Sequence, residues 1–195
     1  MTKQGFEFTI GVNHFGHFLL TSILWQKLEK VKGFRVINVS SLGHTEIGKK
    51  FGFDLDDVDF NNNYDKYQAY CRSKVANILF TKELQRRIDE NKLDGISVSL
   101  HPGVVKTEII RNLEWYKLFI FKYVLAFMWI FMVKTEWEGA QTNLFTVLAP
   151  QNELEKGAYY SDCKVKKSSD FTMNVDNQTK MWQLSQERLG TNWRI

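Results

Sequence analysis

The chain reads as an α/β protein built on buried strands. Phe34 to Ser40 is rich in β-branched residues, and its apolar positions do not alternate cleanly with polar ones. That pattern fits a strand covered on both faces. A second run, Ile96 to Leu100, ends at Pro102-Gly103. Stretches with helical periodicity lie between and around the two runs, as strand–helix–strand crossovers require.

Length and composition set the frame. The 195 residues are 44% hydrophobic and 14% aromatic, enough for one core, so residues 1–195 are expected to form a single domain. A net charge of +4 with 25% charged residues is mild. No Lys/Arg stripe argues for nucleic acid, and Lys164, Lys166 and Lys167 read as a solvated turn. Cys71 and Cys163 suit free thiols in a reducing compartment rather than a disulfide framework. His14, His17, His44 and His101 lack the Cys or carboxylate spacing of a zinc site, so no metal is expected. The first residues do not resemble a signal peptide.

Taken in order, Gly5 to Val31 is expected to be one long helix. Its apolar positions are Phe8, Val12, Phe15, Leu19, Ile23 and Leu24, with Asn13 inside it at a cost in propensity. Gly33 stops it, and Lys27, Lys30 and Lys32 complement its C-terminal dipole. After the strand, Leu42 to Asp65 reads as a loop with no evident chemistry. Tyr67 to Glu90 is the next helix, with Val75, Ile78, Leu79 and Leu84 on its apolar face. Thr107 is placed to open another helix as N-cap.

Trp115 to Val133 is the most lipophilic stretch, but its uncharged part, Tyr123 to Val133, is too short to span a bilayer, which takes about 20 residues. A lid over a hydrophobic substrate, membrane-surface contact and plain core all fit it. Thr135-Glu136-Trp137-Glu138 has the form of a capping box, opening a helix towards Leu148. Ala158 to Ser161 reads as a short third strand. A last helix runs from about Asp176 to Leu189 and stops at Gly190.

One pair stands out chemically. Tyr70 and Lys74 are four apart, hence on one face of their helix. A phenol ordinarily keeps its proton to a pH of about 10, and a neighbouring ammonium favours the phenolate. Such a tyrosine suits proton transfer. From spacing alone, an ordinary solvated pair is the commoner outcome.

Three further stretches change that balance: Gly11-Val12-Asn13-His14-Phe15-Gly16-His17-Phe18, Arg35-Val36-Ile37-Asn38-Val39-Ser40-Ser41, and His101-Pro102-Gly103-Val104-Val105-Lys106-Thr107. With Ala69-Tyr70-Cys71-Arg72-Ser73-Lys74, and in this order, they resemble the second half of a short-chain dehydrogenase/reductase, most closely the retinol dehydrogenase-like branch. Tyr159 to Lys164 and the closing Leu189-Gly190-Thr191-Asn192-Trp193 resemble that branch too. The likeness implies a Rossmann-like, doubly wound parallel sheet, here N-terminally truncated, and an oxidoreductase moving hydride between a nicotinamide and a lipophilic alcohol or carbonyl compound.

The roles it implies fall on matching residues. Tyr70 would be the acid/base. Lys74 would assist it and hold the nicotinamide ribose. Ser41 would bond the substrate oxygen, and Asn13 would anchor a water leading from Lys74 to solvent. Pro102, Gly103 and Thr107 would meet the nicotinamide end. Blander roles compete: Asn13 as packing amide, Ser41 as turn serine, Thr107 as a cap alone.

The glycine-rich turn that holds the cofactor pyrophosphate in such families is not present in the chain. Binding of NADP, or NAD, is therefore expected to be weak, and a non-catalytic relative acting through a partner is the alternative. An intracellular setting, membrane contact through 115–133, and self-association or a partner at strand 34–39 complete the expectations.

Overall fold

The computed structural model describes residues 1–61, 63–105 and 134–195. Four strands form one sheet in the order β1-β2-β3-β4: β1 Phe34–Val39, β2 Gly95–His101, β3 Tyr159–Ser161 and β4 Lys164–Lys166. The first three are parallel, and β4 turns back antiparallel on β3. The hairpin at 159–166 was not legible as one, because its second strand, Lys164 to Lys166, is only three residues long and exposed throughout. Asp162 and Cys163, both at positive φ, make its turn.

The first helical region is a correction to the expected single helix. Helix α1, Phe8–Ile10, passes into a π turn, Gly11–Phe15, and then into α2, Gly16–Leu28. Gly16 N–H reaches back five residues to the Gly11 carbonyl, so the turn carries one residue more than an α-helix would. Simple periodicity cannot reveal such an insertion, since it shifts the apolar face midway.

Helix α3, Lys66–Glu90, starts at Asp65, whose carboxylate accepts from Gln68 N–H. It lies on one face of β1 and β2, while α4, Glu136–Leu148, lies on the other. Side chains divide accordingly. Phe34 and Val36 of β1 join Phe80 and Leu84 of α3, whereas Ile96, Val98, Leu100 and Tyr160 pack with Phe145 of α4. Gly95 is needed opposite Phe34, since a Cβ there would meet the phenyl ring at 2.2 Å. The predicted capping box opens α4, with Thr135 and Glu138 bonding each other's backbone N–H. Arg35 reaches from β1 to the carbonyls of Thr146, Val147 and Ala149 at the other end of α4, where a cation is favoured.

Short helix α5, Asp170–Met173, leads into α6, Val175–Leu189, which ends at left-handed Gly190. Trp182 of α6 and the closing Trp193 lie 4.6 Å apart between ring centroids and pack on Phe18 and Phe80. This aromatic cluster ties both termini to α3.

β1 ends the sheet among the described residues. Ser40 N–H bonds the Leu100 carbonyl, so even-numbered residues of β1 direct their backbone groups to β2. Arg35, Ile37 and Val39 direct theirs the other way.

Candidate active site

Tyr70, Ser41 and Lys74 come together at the carboxyl end of β1. Ser41 follows the strand and caps a 3₁₀ turn, Leu42–Glu46, its Oγ accepting from Gly43 N–H at 3.2 Å. Gly43 is the close-approach point. A Cβ there would lie 3.5 Å from the Tyr70 ring, 3.7 Å from Ser41 Oγ and 3.2 Å from Cys71 Sγ. The tyrosine, one turn into α3, is 36% exposed, so its ring meets solvent beside the serine. Lys74 Nζ lies 5.6 Å from the Tyr70 ring centroid, within range of a cation–π contact, and donates to the Val39 carbonyl at 3.1 Å. Burial lowers the Lys74 pKa.

The two serines of the pair differ in what their hydroxyls do. Ser40 is buried and donates to the Lys74 carbonyl at 2.8 Å, which pins β1 to α3. Among the described residues Ser41 spends its hydroxyl hydrogen on nothing, and only its lone pair is engaged. Asn13 lies in the π turn, and its amide donates to Ser73 Oγ at 3.0 Å. Ser73 in turn donates to the Tyr70 carbonyl at 2.7 Å. Asn13 thus braces the turn of helix that carries the tyrosine.

Pro102 and Gly103 follow β2 at the same end of the sheet. Gly103 has φ +99°, and a Cβ on it would strike the Lys134 side chain at 2.5 Å. Lys134 N–H bonds the Val104 carbonyl, and its ammonium pairs with Asp162 at 2.5 Å. Thr107 and the aromatic stretch Trp115–Val133 lie outside the described residues.

Compared with known proteins, the chain is 40% identical to human retinol dehydrogenase 12 over 195 residues, 98% of its length. It is 39% identical to human retinol dehydrogenase 11 over 193 residues and 37% identical to human retinol dehydrogenase 14 over 192. This chain is a homologue of the retinol dehydrogenases. It spans 57%, 56% and 54% of the lengths of those three relatives. No family model matches it.

Among solved structures, a crystal structure of an uncharacterised protein from Mycobacterium paratuberculosis superposes with a TM-score of 0.74 at 25% identity, covering all of this chain and 63% of that one. An NADPH-bound carbonyl reductase from chicken fatty liver superposes with a TM-score of 0.53 at 21% identity over 80% of this chain and 54% of its own. The fold is that of a short-chain dehydrogenase/reductase, Rossmann-like, with helices on both faces of a mostly parallel sheet.

In this retinol dehydrogenase homologue the loop after Ser41 holds a residue that sequence reasoning passed over. His44 is fully buried, and its Nδ1 lies 2.6 Å from the Ser41 carbonyl. A carbonyl only accepts, so Nδ1 carries the proton. The signal was a lone histidine three residues beyond the serine, which spacing rules for metals or triads do not weigh.

Proposed function

We propose that the chain carries the catalytic half of an oxidoreductase that moves hydride between a nicotinamide cofactor and a lipophilic alcohol or carbonyl compound. The observation that carries this reading is the meeting of Tyr70, Ser41 and Lys74 at one solvent-facing point. The residues fit the nicotinamide–ribose end of a dinucleotide. Lys74 has one N–H on Val39 and two others to give, and Tyr70 and Ser41 present hydroxyls beside it. Pro102 and Gly103 bound the same end of the sheet, and Thr107 belongs to the same motif.

The cofactor supplies or accepts hydride; the rest falls to this chain. Ser41, its lone pair engaged by Gly43, donates to the substrate oxygen and holds it towards Tyr70. Tyr70 moves the proton on or off that oxygen as the carbon gains or loses hydride. Lys74 stands by with positive charge, which stabilises negative charge developing on the phenol oxygen. Asn13, through Ser73, keeps the tyrosine's turn in place. The names of the retinol dehydrogenase relatives support a retinoid or similar lipophilic alcohol, and the chicken reductase supports NADPH as cofactor.

Comparison of long-chain with short-chain alcohols, each with NADP at millimolar concentration, tests the reading by nicotinamide absorbance. Turnover that rises with chain length is expected, and Ser41→Ala is expected to lower it at least tenfold. No turnover with any alcohol at saturating cofactor would contradict it. The outward-facing backbone row of β1 favours a second reading, a chain that acts by pairing with another polypeptide. Association without turnover would favour that alternative.

A further inference from the structure

Behind the catalytic serine lies a group of buried polar atoms that the proposed reaction does not use. His44, Tyr159 and His101 are 0%, 2% and 6% exposed. They come from three elements: the 3₁₀ turn after β1, the first residue of β3 and the last residue of β2. Tyr159 pairs with Ser99, so it and His101 are diagonal neighbours on the sheet face turned to α3. The rings of His44 and Tyr159 meet edge to face, 4.6 Å between centroids. Among the described residues, His44 Nε2, Tyr159 Oη and both ring nitrogens of His101 find no hydrogen-bond partner. Buried polar atoms of this kind cost free energy unless something bonds them.

We propose that these three side chains form a subsite for a neutral hydroxyl group next to Ser41. The hydrogen-bonding characters follow from chemistry. His44 spends its proton on the Ser41 carbonyl, so Nε2 offers only a lone pair. Burial, with Asp162 and Tyr70 nearby, raises the Tyr159 pKa, so its hydroxyl keeps its proton and donates. Burial and Lys134 hold His101 neutral by lowering its pKa to about 4, leaving it one donor and one acceptor. An O–H group both gives and accepts one hydrogen bond, and so matches the acceptor at His44 Nε2 and the donor at Tyr159 Oη–H. A carboxylate would meet the His44 lone pair with no proton to share. The same chemistry is met by a second hydroxyl on an alcohol ligand or by a bound water. The proposal deepens the oxidoreductase reading by placing a hydroxyl beside the reacting oxygen, but its test needs no cofactor or turnover.

The test uses the full chain labelled with ¹⁵N-histidine and long-range ¹H–¹⁵N spectra. His44 is expected as the Nδ1–H tautomer, its Nε2 resonance shifting saturably with 1,2-propanediol and not with propionate. Tyr159→Phe should weaken the diol at least tenfold while the His14 and His17 signals stay in place. The diol–propionate contrast in the unaltered chain stands even if that variant fails to fold. A water resonance near Tyr159 that the diol displaces supports the proposal. A water that saturating diol leaves in place, the Nε2–H tautomer, or no saturable shift overturns it.

Discussion

His14 is wholly buried at the heart of the α2–α3–α6 packing, between Phe15, Phe18 and Phe80. Its Nε2 meets Ser185 Oγ at 2.8 Å, and Ser185 gives its own hydrogen to the Met181 carbonyl, so the imidazole is the donor. Burial lowers its pKa from 6.5 to about 3, against a partial offset from Asn77. A histidine whose folded pKa is depressed takes up its proton more readily when unfolded. Its stabilisation is therefore complete above pH 6.5 and lost as pH falls towards 3. Between pH 6.5 and 5 this loss is on the order of 2 kcal/mol. Urea unfolding across that range should show it, and His14→Gln should flatten the dependence. A wild-type midpoint unchanged down to pH 5 would show that His14 is not held neutral. Nothing in the sequence marked His14 as different from His17, because burial, not type, sets the two apart.

At the scale of elements, the π turn decides where Asn13 points. Were Phe8 to Leu28 one regular helix, its asparagine would not keep the same register with α3. Asn13→Ala removes the amide that Ser73 Oγ accepts from, and should cost about 1 kcal/mol in urea unfolding. Because Ser73 holds the Tyr70 carbonyl, turnover should fall more than that loss of stability explains. Equal stability and turnover in the variant would reduce Asn13 to a surface amide. Most elements were legible where a local rule governs them: Thr135–Glu138 as capping box, Gly190 as stop, Phe34–Val39 as buried strand. The π turn, the exposed β4 and the 3₁₀ turn of His44 are each five residues or fewer, too short for periodicity to announce them.

At the scale of the molecule, the sheet formed by the described residues ends on β1 with a row of outward backbone groups from Arg35, Ile37 and Val39. Lys74 and Asn77 both donate to the Val39 carbonyl, which blunts one end of the row. The rest carries no proline or bulge, and such an edge pairs readily with another strand. Size-exclusion chromatography with light scattering should therefore find the chain associated, with itself or with a second polypeptide. A cooperatively unfolding monomer would show the edge to be covered.

The site itself was legible in part. Tyr70, Lys74, Ser41 and Asn13 were singled out by their motifs, and the fold places them within a few side chains of each other, whereas no motif announced His44 and the likeness at Tyr159 to Lys164 gave Tyr159 no role. The role of Tyr70 is the central claim. Single-turnover hydride transfer to a long-chain aldehyde at saturating NADPH, wild type against Tyr70→Phe, measures it most directly. A loss of ~10²–10⁴-fold is expected for a positioned acid/base, with circular dichroism unchanged. Equal rates in a folded Tyr70→Phe chain would remove the tyrosine from the chemistry.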